Sequence, residues 1–403
     1  MEAYYVEDTV GSGSFGVVVR AVHMPSGLRV ALKRIPALDV QTLTRPRRGG
    51  WPATTEPNEA SASRGGWPAT TEVNGANDDG GGAASSAREK PSQGLDEEEE
   101  GELALAAVRE VLALTGMEHV NVVRMYEAFA HGTSLVLALE LCDLDLGAVL
   151  AAPGAAALLS PRNVKAAMAM VLDGLAFLHA ADIIHRDIKP ANLLISHDGV
   201  VKIGDFGLAR VHVAPGPGEP KHIYSHQVAT RWYRAPELLY GATSYDEKVD
   251  TWAAGAVLGE MLAGGYPLFP GESDIDQLVR VMAVLGTPST ETWPCLVDLP
   301  DYGKIRFQPQ DGMPLAEFLP DAPSEACELL AALLCYNPDA RASAADARAA
   351  GYFSVKPELP APLALDLSAD LRHPPAPPRI AVDPLVGGVL GSYTPHRAAD
   401  YPW

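Results

Sequence analysis

Three short motifs carry residue types that suit the transfer of a phosphoryl group. They are HRDIKPAN at residues 185–192, GDFG at 204–207 and APE at 235–237. Such a transfer needs a carboxylate that orients an attacking hydroxyl and accepts its proton, and it needs oxygen ligands that hold Mg²⁺ on a nucleotide. Asp187, Asn192 and Asp205 supply these groups. The order and spacing of the motifs therefore predict ATP-dependent phosphoryl transfer.

A glycine-rich segment near the N-terminus has the composition of a phosphate-binding loop. It consists of Gly11, Ser12, Gly13, Ser14, Phe15 and Gly16, followed by Val17 and Val18. Glycine lacks a β-carbon, so backbone N–H groups can approach phosphate oxygens closely. A dinucleotide-binding fold would require a helix directly after this loop. The β-branched residues that follow predict a strand instead, which argues against that fold.

A lysine completes the candidate phosphate-binding set. Lys33 ends the strand-like run VALK at residues 30–33, where its cation can reach the α- and β-phosphates of a nucleotide. A lone lysine would be an ordinary surface residue. Lys33 occurs together with the glycine-rich segment and the three motifs, and this combination indicates a role in phosphate binding.

The elements that must position these residues differ along the chain. Residues 30–35 and 135–141 have strand patterns, whereas the stretches after Pro161 and over 252–262 have the composition and periodicity of helices. We therefore expect a β-rich first lobe and a mainly helical second lobe. A helix is also predicted over residues 103–112, LALAAVREVL.

The overall composition excludes several classes of protein. The 403 residues include 51 Asp and Glu against 31 Lys and Arg, which disfavours electrostatic binding to nucleic acid or to an anionic membrane. The four cysteines form no close pair typical of zinc or dithiol sites, so they are expected to be thiols in a reducing compartment. We found no apolar run long enough to insert into a membrane and no secretory signal pattern, and we expect an intracellular protein.

Two segments have low-complexity composition. Residues 39–101 contain few large apolar side chains, which predicts a disordered insertion because too little surface can be buried to offset chain entropy. Within it, RGGWPATTE occurs at 48–56 and again at 64–72, which indicates a local duplication; a Trp-Pro docking motif is the alternative. After residue 357 the chain is Pro-rich, which predicts an extended tail.

Together, the glycine-rich segment, Lys33 and the three motifs resemble those of the eukaryotic protein kinase family. The resemblance covers roughly residues 4–40 and 102–355. It implies an α+β, bilobal protein kinase fold with a small β-rich N-lobe that includes the αC helix, and a larger, mainly helical C-lobe. The implied division is residues 1–38 and 102–142 for the N-lobe, 39–101 for the insertion, 143–355 for the C-lobe and 356–403 for the tail.

The resemblance also implies a role for each matching residue. Asp187 is similar to the catalytic base, Lys189 to the residue that steadies the γ-phosphate, and Asn192 and Asp205 to the Mg²⁺ ligands. The residues that match the ATP-binding positions are Gly11, Ser12, Gly13, Ser14, Phe15, Gly16, Val18, Ala31, Lys33, Leu139, Glu140, Cys142 and Asp145.

Lys33 needs an acidic partner on the αC helix. Glu110 occupies that place, although the insertion separates the two residues more widely than is usual in the family, and Glu118 is a rival. We favour Glu110 because it lies within the apolar-periodic helix. The lysine at position 189 resembles the serine/threonine branch rather than the tyrosine kinases.

The segment YSHQVATRWYRAPE at 224–237 and LGTP at 285–288 resemble cyclin-dependent kinases and their relatives, in detail the cilium-associated branch of cell-cycle-related kinases. Ser225 occupies the phosphoacceptor position, and Arg109, Arg186 and Arg210 occupy the three positions that clasp such a phosphate. The alternative is an unmodified Ser225, with the arginines paired to carboxylates. Residues 228–229 match the pocket that gives relatives a preference for Ser-Pro or Thr-Pro substrates.

Further residues and partners follow from the same resemblance. Glu237 and Arg341 are expected to form an ion pair, and Asp250 to anchor the catalytic-loop backbone. The expected partners are protein substrates, an upstream activating kinase, and a cyclin or another activating subunit. We expect a cytoplasmic location, with the nucleus and the base of the cilium or flagellum as further sites. The competing hypotheses are a cyclin-dependent cell-cycle kinase without a ciliary role and a pseudokinase scaffold.

Overall fold

The computed structural model describes residues 3–13, 16–35, 110–132, 134–152, 155–212, 230–356 and 363. The chain divides into two compact units. The first comprises Met1–Val111 and Met125–Leu141, and the second Leu112–Arg124 and Cys142–Trp403. The predicted insertion at 39–101 and most of the predicted tail lie outside the described residues. Within the described ranges, no helix is long and apolar enough to cross a membrane.

The first unit is built on a five-stranded antiparallel sheet. Its strands are β1 (Tyr4–Gly13), β2 (Gly16–His23), β3 (Leu28–Ile35), β4 (Met125–His131) and β5 (Ser134–Glu140), in the order β1-β2-β3-β5-β4. Residues 110–114 are helical and are called α1 here; the first two belong to this unit and the other three to the second. Because side chains alternate between the two faces of a strand, every second residue of the central strands enters one core. Its buried members are Val19, Ala21, Val30, Leu32, Val136 and Ala138.

The second unit is mainly helical. Its helices are α2 (Leu146–Ala151), α3 (Ala155–Leu158), α4 (Pro161–Ala180), α5 (Pro236–Leu239), α6 (Lys248–Leu262), α7 (Asp274–Leu285), α8 (Leu315–Phe318), α9 (Ser324–Leu333) and α10 (Ala344–Arg348). Short strands lie between them: β6 (Leu144–Asp145), β7 (Ile183–Ile184), β8 (Leu193–Ile195), β9 (Val201–Ile203) and β10 (Arg210–Val211). The predicted β-rich and helical parts are both confirmed.

Local sequence explains where the main helices begin and why α6 is central. The Ser160 hydroxyl accepts from the Asn163 N–H and Pro161 takes the first helical position, which starts α4. Ser273 caps α7 in the same way. Helix α6 is buried on every side from Val249 to Met261, and Trp252 within it is fully buried. The rest of the second unit packs around this helix.

Residues 112–124 belong to a different unit from the one that the sequence predicted. We expected them in the N-lobe, within 102–142, but hydrogen bonds join this segment to β9. The Ile203 N–H donates to Asn121 O and the Val123 N–H donates to Ile203 O, both at 2.9 Å. The Asn121 side chain donates to Val201 O at 2.9 Å. Cys142 also falls in the second unit, one residue before the predicted boundary.

The predicted ion pair between Glu237 and Arg341 is present and buried. The two guanidinium Nη atoms contact the two carboxylate oxygens at 2.8 and 2.9 Å, and the side chains are 4% and 0% exposed. Arg341 also donates to the backbone carbonyls of Cys335, Tyr336 and Lys248. A buried charge is tolerated only when it is paired and hydrogen-bonded, so Arg341 joins the segment after residue 230 to the helical core.

Replacing Arg341 by Leu should lower the free energy of unfolding by about 3–5 kcal/mol, because Glu237 and three carbonyls lose their buried donor. Lys304→Leu is the matched control, since Lys304 pairs with Asp301 on an exposed surface and its loss should cost under about 1 kcal/mol. Urea denaturation of both variants measures the difference. Equal destabilisation would contradict a special role for the buried pair.

A second buried acid, Glu260 on α6, lies against the same segment. The Tyr233 hydroxyl donates to Glu260 Oε2 at 2.7 Å, and Glu260 is 5% exposed. Burial raises the pKa of Glu260 to about 7, and the hydrogen bond from Tyr233 only partly opposes it. The folded chain therefore holds a proton on Glu260 at pH values where the unfolded chain has released it.

Wild-type stability should therefore fall as pH rises from about 4.5 to about 7, because the unfolded state binds fewer protons than the folded state in this window. Glu260→Gln removes the titration, and the stability difference between wild type and variant should change by about 2 kcal/mol between pH 5 and pH 7.5. Denaturant titrations at the two pH values provide the measurement. A difference that does not depend on pH would refute the assignment.

Candidate active site

The backbone of residues 185 and 186 is held by one buried carboxylate. Asp250 Oδ2 accepts from the His185 N–H at 2.8 Å and Oδ1 accepts from the Arg186 N–H at 2.7 Å. Arg186 has a φ of 69°, in the left-handed region that costs energy for a non-glycine residue. Burial acts to raise the pKa of Asp250, but the hydrogen bond from His179 and the backbone donor hold it below its usual value. The predicted anchoring contact is thus present.

The Asp187 carboxylate lies at the centre of a hydrogen-bonded cluster. Its Oδ2 accepts from Lys189 Nζ at 2.7 Å and from Asn192 Nδ2 at 2.9 Å. Its Oδ1 accepts from the Thr230 N–H at 3.1 Å and from the Thr230 hydroxyl at 3.3 Å. Asp187 is 3% exposed, so the direction of its lone pairs is fixed by these donors. The structure therefore brings together three of the predicted residues.

Thr230 is a site residue that the sequence analysis missed. It is separated from Asp187 by 43 positions, and no local pattern connects the two. The only signal was its position in the segment 224–237, directly before the turn Arg231–Tyr233. The contact arises because that turn is held elsewhere: Trp232 Nε1 donates to Gly271 O at 3.1 Å.

Asn192 and Asp205 lie at the open end of the β8–β9 hairpin. Asn192 directly precedes β8, Asp205 follows β9 by two residues, and the Gly204 N–H donates to Asn192 O at 2.9 Å. The Asn192 amide nitrogen donates to Asp187, so its Oδ1 lies on the other branch of the amide. An amide oxygen and a carboxylate are the hard donors that suit Mg²⁺, which takes its other ligands from phosphate and water. These residues fit the ion, although the described residues include no cluster of three His, Cys, Asp or Glu that could hold a metal alone.

The predicted contact between Lys33 and Glu110 is present in the first unit. Lys33 Nζ lies 2.9 and 2.8 Å from the two carboxylate oxygens of Glu110, and the side chains are 9% and 1% exposed. Glu118, the rival carboxylate, pairs instead with Arg124 on the surface at 2.7 Å. The pairing forms across 77 positions, so the long insertion does not prevent it.

The glycine-rich segment forms the end of the β1–β2 hairpin. Gly11 lies opposite Val18, and Val18 lies opposite Lys33 on β3. Gly16 has a φ of 128°, a backbone conformation that residues other than glycine rarely adopt. Ser12 and Gly13 are described by their backbone in β1, and Ser14 and Phe15 lie outside the described residues. Sheet register thus places Lys33 across from the predicted phosphate loop.

The residues predicted to contact adenine and ribose fall in both units. Ala31 lies opposite Leu139, each 8% exposed, and Glu140 lies opposite Val30. In the second unit Cys142 is half-buried, and Asp145 caps α2 by accepting from the Ala148 N–H at 2.9 Å. Burial raises the pKa of Asp145, and the backbone donors oppose that shift.

Two of the four predicted regulatory residues are described. Arg186 donates to Leu208 O at 2.7 Å and to the Tyr245 hydroxyl at 2.9 Å. Arg210 lies in β10, opposite Ile184. Burial raises the pKa of Tyr245, and the charges of Arg186 and Arg210 oppose this shift, so both arginines lie near the hydroxyl. Ser225 and Arg109 lie outside the described residues.

Comparison with known proteins agrees with this geometry. The protein kinase domain model matches residues 91–353. Cyclin-dependent kinase 20 of Mus musculus is 49% identical over 281 residues, covering 68% of this chain and 79% of the relative. The Danio rerio protein of the same name is 39% identical over 369 residues, covering 90% and 88%. Cyclin-dependent kinase 7 of Xenopus laevis is 42% identical over 251 residues, covering 62% and 68%.

Solved structures show the same fold. The yeast RNA Pol II CTD kinase CTDK-1 complex contains a chain with a TM-score of 0.65 at 25% identity, covering 91% of this chain and 97% of that one. The CAK complex from Chaetomium thermophilum bound to ATP-gamma-S gives a TM-score of 0.66 at 25% identity, covering 89% and 93%. The chain therefore belongs to the protein kinase family and is a serine/threonine protein kinase of the cyclin-dependent kinase-like branch.

Proposed function

We propose that this kinase transfers the γ-phosphate of ATP to serine or threonine followed by proline in protein substrates. The observation that carries the proposal is the environment of Asp187, a buried carboxylate whose two oxygens are oriented by Lys189, Asn192 and Thr230. The Chaetomium thermophilum neighbour bound to ATP-gamma-S supports the choice of nucleotide.

In the transfer step, the substrate hydroxyl oxygen forms a bond to the γ-phosphorus while the bond to the β,γ-bridging oxygen breaks. Asp187 orients the hydroxyl and accepts its proton. Lys189 Nζ, 2.7 Å from Asp187 Oδ2, brings positive charge to the side of the base where the γ-phosphate is attacked. Asn192 and Asp205 would hold Mg²⁺, which supplies positive charge for the phosphate oxygens when bound.

In the first unit, Lys33 positions the α- and β-phosphates, as the family resemblance implies. Glu110 keeps the ammonium in place through two short contacts in a site where a lone cation would be strongly disfavoured. Backbone N–H groups of the glycine-rich segment supply further donors for phosphate oxygens.

The preference for proline rests on residues 228–229, which match the pocket beside the acceptor in relatives and lie outside the described residues. Proline has no backbone N–H, so it loses no hydrogen bond where the enzyme offers no acceptor. Ala229 is smaller than the valine common in cyclin-dependent kinases, so it would fill less of such a pocket.

Regulation is proposed to act through Ser225. A phosphate there adds about −1.5 to −2 charges that Arg109, Arg186 and Arg210 can bind, which orders the segment after Asp205. Similarity to cyclin-dependent kinases 20 and 7 supports a cyclin or another activating subunit, and an upstream activating kinase is proposed on the sequence resemblance. Control of cilium or flagellum assembly and of the cell cycle is proposed on the sequence resemblance, with action in the cytoplasm, the nucleus and at the base of the cilium.

Asp187→Asn should lower the rate of phosphate transfer by about 10²–10⁴-fold, because the amide cannot accept the proton. Asp182→Asn is the matched control, since Asp182 is exposed five residues earlier and has the positive φ that asparagine tolerates. Transfer of radiolabelled phosphate from ATP to paired Ser-Pro and Ser-Ala peptides measures both activity and proline preference. Equal signal in wild type and Asp187→Asn would remove Asp187 from the mechanism, and no signal in the wild type would favour a pseudokinase scaffold. Equal use of the two peptides would exclude proline direction.

Thr230→Val should lower kcat about tenfold with little change in the KM for ATP, because it removes the hydroxyl hydrogen bond to Asp187 at nearly constant volume. Thr230→Ser keeps the hydroxyl and should retain most of the activity. Steady-state kinetics on the Ser-Pro peptide distinguish the two variants. If Thr230→Val and Thr230→Ser lost activity equally, packing rather than the hydrogen bond would explain the effect.

A further inference from the structure

The chain makes a specific contact with the second unit after its last helix. It is described to residue 356 and again at Leu363, which is 8% exposed. The Leu363 N–H donates to Gly199 O at 2.9 Å. Gly199 belongs to the turn between β8 and β9, residues 196–200, called here the hairpin turn. Burial of an apolar residue together with a backbone hydrogen bond indicates a contact of defined geometry.

The hairpin turn is held by its own hydrogen bonds. The Ser196 N–H donates to Val200 O at 3.0 Å, and the Gly199 N–H donates to Ser196 O at 2.9 Å. The Val200 N–H donates to the Ser196 hydroxyl at 3.1 Å. Gly199 has a φ of 77°, which favours glycine. The carbonyl that accepts from Leu363 is therefore in a fixed orientation.

The absence of a side chain at Gly199 also makes room for Leu363. A β-carbon at Gly199 would lie 2.5 Å from Leu363 O and 3.1 Å from Leu363 N. These atoms are backbone, so they could move away only if the segment around Leu363 moved as a whole. The two backbones can approach each other only because residue 199 is glycine.

A second contact fixes the start of the tail. Lys165 of α4 is 1% exposed, and its Nζ donates to Val355 O at 2.6 Å while lying 4.9 Å from the centre of the Tyr352 ring. Burial lowers the pKa of Lys165. Val355 and Leu363 are eight residue steps apart and can be separated by at most about 26–29 Å, so the two contacts hold the chain on both sides of a short segment.

The hairpin turn is linked to the candidate metal ligands by two strands of three residues each. At the other end of these strands lie Asn192 and Asp205, joined by the hydrogen bond from Gly204 to Asn192. Such short strands have few ladder hydrogen bonds of their own. A contact at the turn therefore contributes to the rigidity of the whole hairpin.

We propose that the hairpin turn is a docking site for the chain's own C-terminal tail, with Leu363 as the anchor, and that docking steadies the hairpin that positions Asn192 and Asp205. Leu363 thus acts as a positioning residue, through the hairpin, for Asn192 and Asp205. The docking rests on the contacts of residues 196–200 and 363, whereas the effect on magnesium use rests on the proposed function.

The first test changes the receptor side in the full-length chain. Gly199→Asn keeps a residue that tolerates positive φ but adds the β-carbon that would meet Leu363. Gly303→Asn is the matched control, because Gly303 has a φ of 78° and nothing within 4 Å of its β-carbon position. Hydrogen exchange of the amides at 199–201 and 363 should be about tenfold faster or more in Gly199→Asn and unchanged in Gly303→Asn.

The second test changes the ligand side. Leu363→Asp should accelerate hydrogen exchange at the same amides. Val297→Asp, which changes an exposed valine of the same unit, should leave that exchange unchanged. Gly199→Asn and Leu363→Asp should also need about threefold to tenfold more Mg²⁺ for half-maximal phosphate transfer. The KM for the peptide should be unchanged in both.

Unchanged exchange in both Gly199→Asn and Leu363→Asp would overturn the docking site. Faster exchange with an unchanged magnesium requirement would overturn the positioning role. Absence of phosphate transfer by the wild-type chain would count against the proposed function alone, because the exchange measurement does not depend on activity.

Discussion

The carboxylate of Asp250 fixes the backbone from which the catalytic side chains extend. It lies within α6, the helix around which the second unit packs, and binds the N–H groups of His185 and Arg186. Two short hydrogen bonds to a buried anion can hold Arg186 in its unfavourable left-handed conformation. Arg186 and Asp187 then project in directions that the helical core determines. On this backbone, Lys189, Asn192 and Thr230 orient the Asp187 carboxylate.

Each unit compensates its buried charges locally. In the first unit Lys33 and Glu110 neutralise each other, and in the second Glu237 and Arg341 do so. Such pairs contribute little net stability compared with apolar side chains of equal size, but they are costly to break. They therefore act mainly by selecting one arrangement of the elements that carry them. Glu260 is different: it accepts a hydrogen bond from the neutral hydroxyl of Tyr233, which opposes the effect of burial only in part, so its pKa is raised.

Glycine has a separate role at the two places where backbone geometry controls the site. Gly16 takes a positive φ at the start of β2, next to the predicted phosphate loop. Gly199 takes a positive φ in the hairpin turn and leaves space for the backbone of Leu363. In both cases a β-carbon would change the path of the chain rather than remove a contact.

The sequence by itself determined the chemistry and the order of the elements. Motif residues such as Asp187, Asn192 and Asp205 carry their chemical groups wherever they are placed, and the strand pattern at Lys33 and the helical pattern of α6 follow from local periodicity. Only the tertiary structure decided which distant residues meet. It placed Thr230 on Asp187, assigned residues 112–124 to the second unit through β9, and brought Leu363 to Gly199. These contacts depend on packing and hydrogen bonding between segments far apart in the chain, and no local pattern of residues encodes that proximity.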